Sequence, residues 1–478
     1  MKRKVKNVLV FMVLSIFSFG LMAESLSSES QNPEKMILTV DEATNYAIKN
    51  SRTLKVSAID VEIAKLKKDN AWNVFVPSVQ ISGTMSRSNE ASNTSEEMKK
   101  IMEEALSGMM PGTPGGGSSG SSSDTSESFE PKEADHWKAV GNVSVSWNFS
   151  FALFEAYRTT VSNYEAGLIS YEQSVKQTER DVKKMFYGML LMQENLKLQQ
   201  EMLENAKMRM EQAAISYRNG QVPELSYLQA QVTYENKRPT VLEMEQTISQ
   251  QMNTFAFLLG LPYGTKLELV GTIEPEFITV DSNELVEKYL TNRLDVQGLY
   301  KNIELVTHGL TASKLQTFSP ALALSYGFQP VVMDITKNWF EDENNMDNGS
   351  FSVTLAWNLT NMLPFSSNMV SLRETQKNLE KLELSVATVL QSGEMEIASL
   401  VDKLKKCESS IAAMEYNVEL AEKAYNMTYE AYRVGTTEIL DVRDSESQLS
   451  QAKLGLLNEK YTYLTTLLDL EYAINAKL

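Results

Sequence analysis

The 478-residue chain has one cysteine, two histidines and twelve prolines, and these shortages narrow its chemistry. Cys407 alone cannot close an intrachain disulfide; lying on an apolar stripe, it reads as a small core residue. His136 and His308 are too few for a zinc-type ligand cluster. Basic residues are scarce as well: 45 Lys and Arg stand against 62 Asp and Glu, a formal charge of −17 with no basic patch to attract nucleic acid. The longest apolar run, Val8 to Met22, follows Lys2, Arg3, Lys4 and Lys6 and ends at Leu21-Met22-Ala23. Residues 1–23 therefore read as a secretory signal, shorter than the roughly 20 apolar residues of a membrane-spanning helix. Removing it takes the charge from −17 to −21, 41 basic against 62 acidic residues. The glycine tract from Pro111 to Gly120 lacks the Gly-Lys-Ser/Thr ending of a phosphate loop, and no nucleophile elbow is present. No enzyme activity, cofactor or metal is expected.

What the chain has in abundance is heptads. Val161, Tyr164, Leu168, Tyr171, Val175, Thr178, Val182, Met185, Met189, Met192, Leu196, Gln199, Leu203, Ala206, Met210, Ala213 and Tyr217 recur at alternating steps of three and four, and only Thr178 and Gln199 are polar. A strict seven-residue repeat keeps its stripe on a neighbour only by left-handed supercoiling. No proline interrupts Arg158 to Asn219, so the spacing predicts a rod of roughly 90 Å. A second rod carries Leu400, Leu404, Cys407, Ile411, Met414, Val418, Ala421, Tyr425, Thr428 and Tyr432, preceded by a slip at Gly393.

The rest of the chain falls into two matching halves. In the first, residues 24–260, a leader to Leu38 precedes a helix capped by Asp41. Strands follow over about 74–87 and 139–152, separated by a polar low-complexity loop at 88–138, and then helices over about 158–219 and 223–259. A linker at 261–281 leads to the second half, 282–478, with strands over about 319–332 and 349–360 and helices over about 367–434 and 437–475. Each rod stops at a glycine, in Tyr217-Arg218-Asn219-Gly220 and in Tyr432-Arg433-Val434-Gly435. The repeated layout points to an internal duplication.

The strands indicate the environment. Val143, Val145, Trp147, Phe149 and Phe151 alternate with Asn142, Ser144, Ser146, Asn148 and Ser150. Phe351, Val353, Leu355, Trp357 and Leu359 likewise alternate with Ser352, Thr354, Ala356, Asn358 and Thr360. One such strand suits a soluble sandwich. Four of them, aromatic on one face and hydroxyl or amide on the other with almost no charge, suit strands with lipid outside and water inside. Four strands cannot close a barrel, so other copies must complete the sheet, and three copies give twelve. The alternative is a periplasmic or surface coiled-coil structural protein or adhesin whose strands form a small soluble domain. A general porin is disfavoured, because it needs no such rods.

This layout, with Gly260-Leu261-Pro262 and above all Tyr432-Arg433-Val434-Gly435-Thr436-Thr437-Glu438-Ile439-Leu440-Asp441-Val442-Arg443-Asp444, resembles the TolC-like outer-membrane efflux proteins. The resemblance implies an α+β membrane protein: a homotrimer whose twelve-stranded β-barrel sits in outer-membrane lipid of a diderm bacterium and continues as an α-helical barrel in the periplasm. It implies passive export, with an inner-membrane pump of RND or ABC type and a periplasmic adaptor as partners. By the match Asp441, Asp444 and Tyr432 form the periplasmic gate, and Asn219, Gly220, Gln221, Val434, Gly435 and Thr436 are the tips that meet the adaptor. Acidic residues near a helix start also simply complement its dipole, and the glycines terminate helices whatever else they do. Thr437 stands where the family often has a gate arginine.

Overall fold

The computed structural model describes residues 36–87, 89, 137–332 and 345–478. The expected signal, nearly all of the 88–138 loop, and residues 333–344 of the second polar loop lie outside them. The chain forms two compact units, one up to Tyr46 with Gly188–Thr272, the other Ala47–Tyr187 with Ile273–Leu478. These boundaries cut across the sequence halves.

In the smaller unit, β1 (Met36–Leu38) pairs in parallel with β4 (Leu267–Leu269). Met36–Leu38 falls within the expected leader, because three residues are too few to show alternation. Helix α1 (Val40–Asn50) is capped by Thr39, two residues before the expected Asp41. Thr39 N and Oγ1 donate to Glu42 Oε2 at 2.9 and 2.8 Å, and Glu42 N donates to Thr39 Oγ1 at 3.4 Å, a reciprocal capping box. Helix α3 (Ala152–Arg218) passes from the larger unit into this one, and α4 (Glu224–Leu258) runs through Pro239. Phe255, Ala256 and Leu259 are buried, and Gly260, at φ +79°, ends the helix.

The larger unit carries the sheet. Strands β2 (Ser78–Arg87), β3 (Trp137–Phe149), β5 (Ala321–Val332) and β6 (Asn345–Ala356) lie in the order β2-β3-β5-β6, all antiparallel. The register aligns Val79, Val145, Tyr326 and Phe351 across the sheet, and Ser78 and Ser146, or Ser325 and Ser352, on the opposite face. The hydroxyls of each serine pair lie 2.6 Å apart. The alternation is therefore a real division into an apolar and a hydroxyl face. β2 starts four residues later than expected because Ala71–Phe75 is a 3₁₀ turn, whose Phe75 carbonyl accepts from Trp147 Nε1 at 2.9 Å. β3 stops at Phe149, so α3 begins at Ala152 rather than near 158. β6 ends at Ala356, because Leu359–Met362 forms another 3₁₀ turn.

The helices of this unit include α2 (Arg52–Asp69), α5 (Ser282–Tyr289), α6 (Leu294–Phe318), α7 (Ser367–Arg433) and α8 (Ile439–Ile474). Asp281 caps α5 by accepting from Asn283 N, and Ser366 caps α7 by accepting from Met369 N. Ile397, Val401, Leu404, Cys407 and Ile411 of α7 cluster with Tyr463, Leu470 and Ile474 of α8 and with Leu285. The heptad reading thus holds with one shift: Val401 is fully buried, while Leu400, assigned to the stripe, packs half-exposed against the cluster. On α3, Phe186 lies outside the heptad series yet is buried beside Val182 and Met189, and Leu168 is 41 % exposed. A 3.6-residue helix drifts from a 3.5-residue stripe, so a helix with more than one neighbour buries residues on both sides of it.

The slip at Gly393 has a cause. A Cβ there would lie 3.2 Å from both Arg293 Nε and Leu290 Cδ1, so the glycine lets the Arg293 side chain lie against α7. Arg293 then donates to Asp295 Oδ1 and Oδ2 at 3.1 and 2.8 Å and pairs with Glu396 at 2.9 Å. Nearby, α3 and α6 share a polar network. Buried Glu155 accepts from Arg158 at 2.7 Å and sits 2.7 Å from His308 Nδ1; Lys301 bridges Glu165 and Glu304 at 2.7 and 2.8 Å.

Substitution at Gly393 and at Asp295 tests this contact. Gly393→Val should cost about 2 kcal/mol in urea unfolding through overpacking. Gly393→Ala should be near neutral, because about 1 kcal/mol of helix propensity offsets the squeeze. Burial alone would raise the Asp295 carboxyl, but the Arg293 hydrogen bond and charge, with the Val296 N–H, hold it below its ordinary 3.8. A depressed carboxylate stabilises the fold above pH 3.8 and loses that contribution as pH falls through its folded value. Asp295→Asn should therefore flatten the acid limb of a stability-versus-pH curve below about pH 4 and leave its shape near neutrality unchanged.

Candidate functional site

The residues singled out by sequence lie at the ends of the two long helices. Both helices are 67 residues long, and both close with the same backbone arrangement. At the end of α3, Gly220 N donates to Tyr217 O and Gln221 N to Ser216 O, each at 2.9 Å. At the end of α7, Gly435 N donates to Tyr432 O and Thr436 N to Ala431 O, again at 2.9 Å. These paired bonds satisfy the last carbonyls of a helix and require a left-handed residue. Gly220 at φ +72° and Gly435 at φ +81° supply it. Asn219, Gly220 and Gln221 are exposed, as are Val434, Gly435 and Thr436. Beyond the first turn Pro223 is the N-cap of α4, one position ahead of the first-turn place expected for it, and Tyr217 stacks on Tyr227 at 6.1 Å.

Beyond the second turn the acidic residues separate by role. Asp441 Oδ2 accepts from Thr437 Oγ1 at 2.5 Å and from Glu438 N at 3.3 Å, so this carboxylate ties down the start of α8. Asp444, one turn on, is 63 % exposed and lies 3.7 Å from Arg443 Nε. Both face away from buried Val442 and Leu449. Tyr432, in the last turn of α7, is half-buried. A single chain thus presents two exposed carboxylates three residues apart on one helix face. The part played by Thr437 was missed in the sequence, where it figured only as a departure from the family arginine. The spacing of an acceptor three or four residues into the next helix is the signal that points to it.

Among the described residues, no group of His, Cys, Asp or Glu is arranged to hold a metal ion, and no helix is long and apolar enough to cross a membrane.

Open space surrounds both turn glycines, so substitution there tests backbone conformation alone. Gly220→Ala and Gly435→Ala should each cost about 1 kcal/mol in denaturant unfolding. Asp441→Ala should cost about 1 kcal/mol for the lost cap, while Asp444→Ala stays within about 0.5 kcal/mol.

A model of the family described as outer membrane efflux protein matches residues 43–261 and 285–476. Over 139 residues the chain is 29% identical to outer membrane protein TolC of Salmonella enteritidis, a match covering 28% of this chain and 26% of that one, about a quarter of the relative's length. The Campylobacter jejuni CmeC outer membrane channel superposes with a TM-score of 0.71 at 14% identity, covering 94% of this chain and 90% of the other. The outer membrane protein VceC of Vibrio cholerae gives 0.67 at 16%, covering 92% and 96%. At such identities the likeness to solved structures is one of fold. The family pattern, however, runs through both halves of the sequence, and the chain belongs to the outer membrane efflux proteins.

Proposed function

We propose that three copies of this chain close their sheets into one twelve-stranded barrel in the outer membrane, with the long helices extending into the periplasm as the wall of a passive exit duct. The observation that carries this reading is the sheet. Its apolar face holds Val79, Val145, Tyr326 and Phe351, and it is bounded on both sides by strands, β2 and β6, that among the described residues each pair on one edge only. On β2, Val79 and Ile81 are 65 % and 71 % exposed; on β6, Phe351 and Leu355 are 68 % and 71 % exposed. Large apolar side chains beside unpaired backbone fit a lipid setting only when another strand takes the free edge. Two copies would give eight strands, whose interior side chains fill; a lumen needs more. The halves at 24–260 and 282–478, joined by 261–281, are then duplicated contributions to one wall.

In this reading Asp441, Asp444 and Tyr432 constrict the periplasmic mouth. The turns at Asn219-Gly220-Gln221 and Val434-Gly435-Thr436 receive an adaptor, and an RND or ABC pump in the inner membrane delivers the cargo for efflux or type I secretion. The chain acts as a conduit without catalysis.

Buried Cys407 can be removed as Cys407→Ser, and Ser82→Cys on β2 and Ser352→Cys on β6 then combined in the same chain. A bismaleimide should link co-expressed copies into species ending at a trimer that resists heating and needs detergent for extraction. A monomer recovered from the periplasm without detergent favours the coiled-coil adhesin instead. In planar bilayers, Asp441→Asn with Asp444→Asn should weaken cation selectivity and block by multivalent cations; unchanged traces would remove these carboxylates from the constriction.

A further inference from the structure

Against the acidity of the whole chain, one pocket in the larger unit is lined by four cations. Lys176, Arg180 and Lys183 project from α3 at helical spacings of four and three, and Lys477 follows the end of α8; the cavity is about 100 Å³. The three α3 residues lie mid-helix, where no dipole end accounts for their charge. The pocket is built rather than loose. Arg180 is only 24 % exposed and Lys183 17 %. The Arg180 guanidinium lies 4.3 Å over the Tyr472 ring, donates from Nε and Nη2 to Asp181 Oδ1 at 3.0 and 2.9 Å, and has Asp469 at 3.8 Å. Lys184 stands just outside, taken up by Asp469 at 2.8 Å.

Two carboxylates share the lining. Glu471 is engaged by the Leu478 N–H at 3.1 Å. Glu179 has Lys183 at 2.7 Å on one oxygen and Lys176 at 4.0 Å on the other. Burial alone would raise the Glu179 carboxyl, but the Lys183 hydrogen bond and the fields of Lys183, Lys176 and Lys477 hold it below its ordinary value. Glu179 and Glu471 thus stand against Lys176, Arg180, Lys183 and Lys477, and with Asp181 paired to Arg180 one positive charge is left over in a space larger than a single water requires.

We propose that this pocket binds a phosphoryl group, the chemistry common to free phosphate and to a phosphorylated lipid headgroup. Lys176 and Lys183, two turns apart on α3, and Lys477 beyond α8 supply charge, and Arg180, fixed on Tyr472, brings the guanidinium N–H groups not given to Asp181, which suit an oxyanion. The inference is independent of the duct reading and of the tip residues.

Calorimetric titration of the full chain in neutral detergent, at constant ionic strength, tests it with inorganic phosphate and pyrophosphate as probes and sodium chloride as the control. Saturable binding, one site per chain and tighter for pyrophosphate, is expected. Lys176→Gln with Lys477→Gln should weaken it roughly tenfold or more, and Lys423→Gln on exposed α7 should leave it unchanged. Glu179→Gln, which removes the internal competitor, should instead tighten binding, so the site remains testable if the double lysine variant does not fold. Retention on phosphatidylglycerol micelles without response to free anions, lost in the double variant, supports the site and assigns it to a headgroup. Absence of saturable binding to either probe or micelle, or equal binding in the lysine variant, overturns the proposal.

Discussion

A strand edge with no neighbour is the constraint on which the rest of this molecule turns. Among the described residues β2 and β6 each give one row of N–H and C=O groups to the sheet and leave the other row open, while their side chains sort into an apolar and a hydroxyl face. In water such an edge invites aggregation, and in hydrocarbon each unmet group costs several kcal/mol. In the proposed duct other copies complete the sheet, and the helices would likewise meet neighbours on more than one side. The exposed apolar residues that would look like errors on a soluble monomer, Val79, Ile81, Phe351 and Leu355 among them, are what such a surface requires.

Within the larger unit, apolar packing and polar anchoring divide the work. The seam of Ile397, Val401, Leu404 and Ile411 against Tyr463, Leu470 and Ile474 supplies burial, but a heptad seam alone permits sliding by one repeat. The polar anchors forbid that. Arg293 lies in the notch at Gly393 between Asp295 and Glu396; Lys460 reaches Glu274 and Glu415; Tyr463 Oη accepts from Ile278 N at 3.0 Å. Half-buried ion pairs contribute little net stability, so their value here lies in fixing register along a long helix.

Much of the sheet and of the long helices is legible in the sequence because both depend on period. Residues such as Trp147 and Ser146, or Leu404 and Cys407, declare their faces by spacing alone. Strand ends are less legible. Phe75 and Leu359 continue an apolar rhythm, yet the backbone there turns in 3₁₀ geometry, which spacing cannot register. The parallel pairing of Met36–Leu38 with Leu267–Leu269 joins segments over two hundred residues apart and leaves no local trace. At the candidate site the glycine stops are readable from chemistry, because only glycine takes a left-handed turn at little cost. The division of labour between Asp441 and Asp444 is not, because two aspartates on one helix face look alike until the Thr437 hydroxyl is placed beside one of them.

The two helix-end turns are held almost wholly by main-chain bonds. Only the left-handed position must be glycine; Asn219 and Gln221 lend the closure no side chain, and at the other turn only the Thr436 hydroxyl adds a bond, to Ala431 O. A scaffold that asks so little of its outermost residues lets them change identity without unfolding. Such surfaces can be rewritten one letter at a time while the architecture behind them stays put.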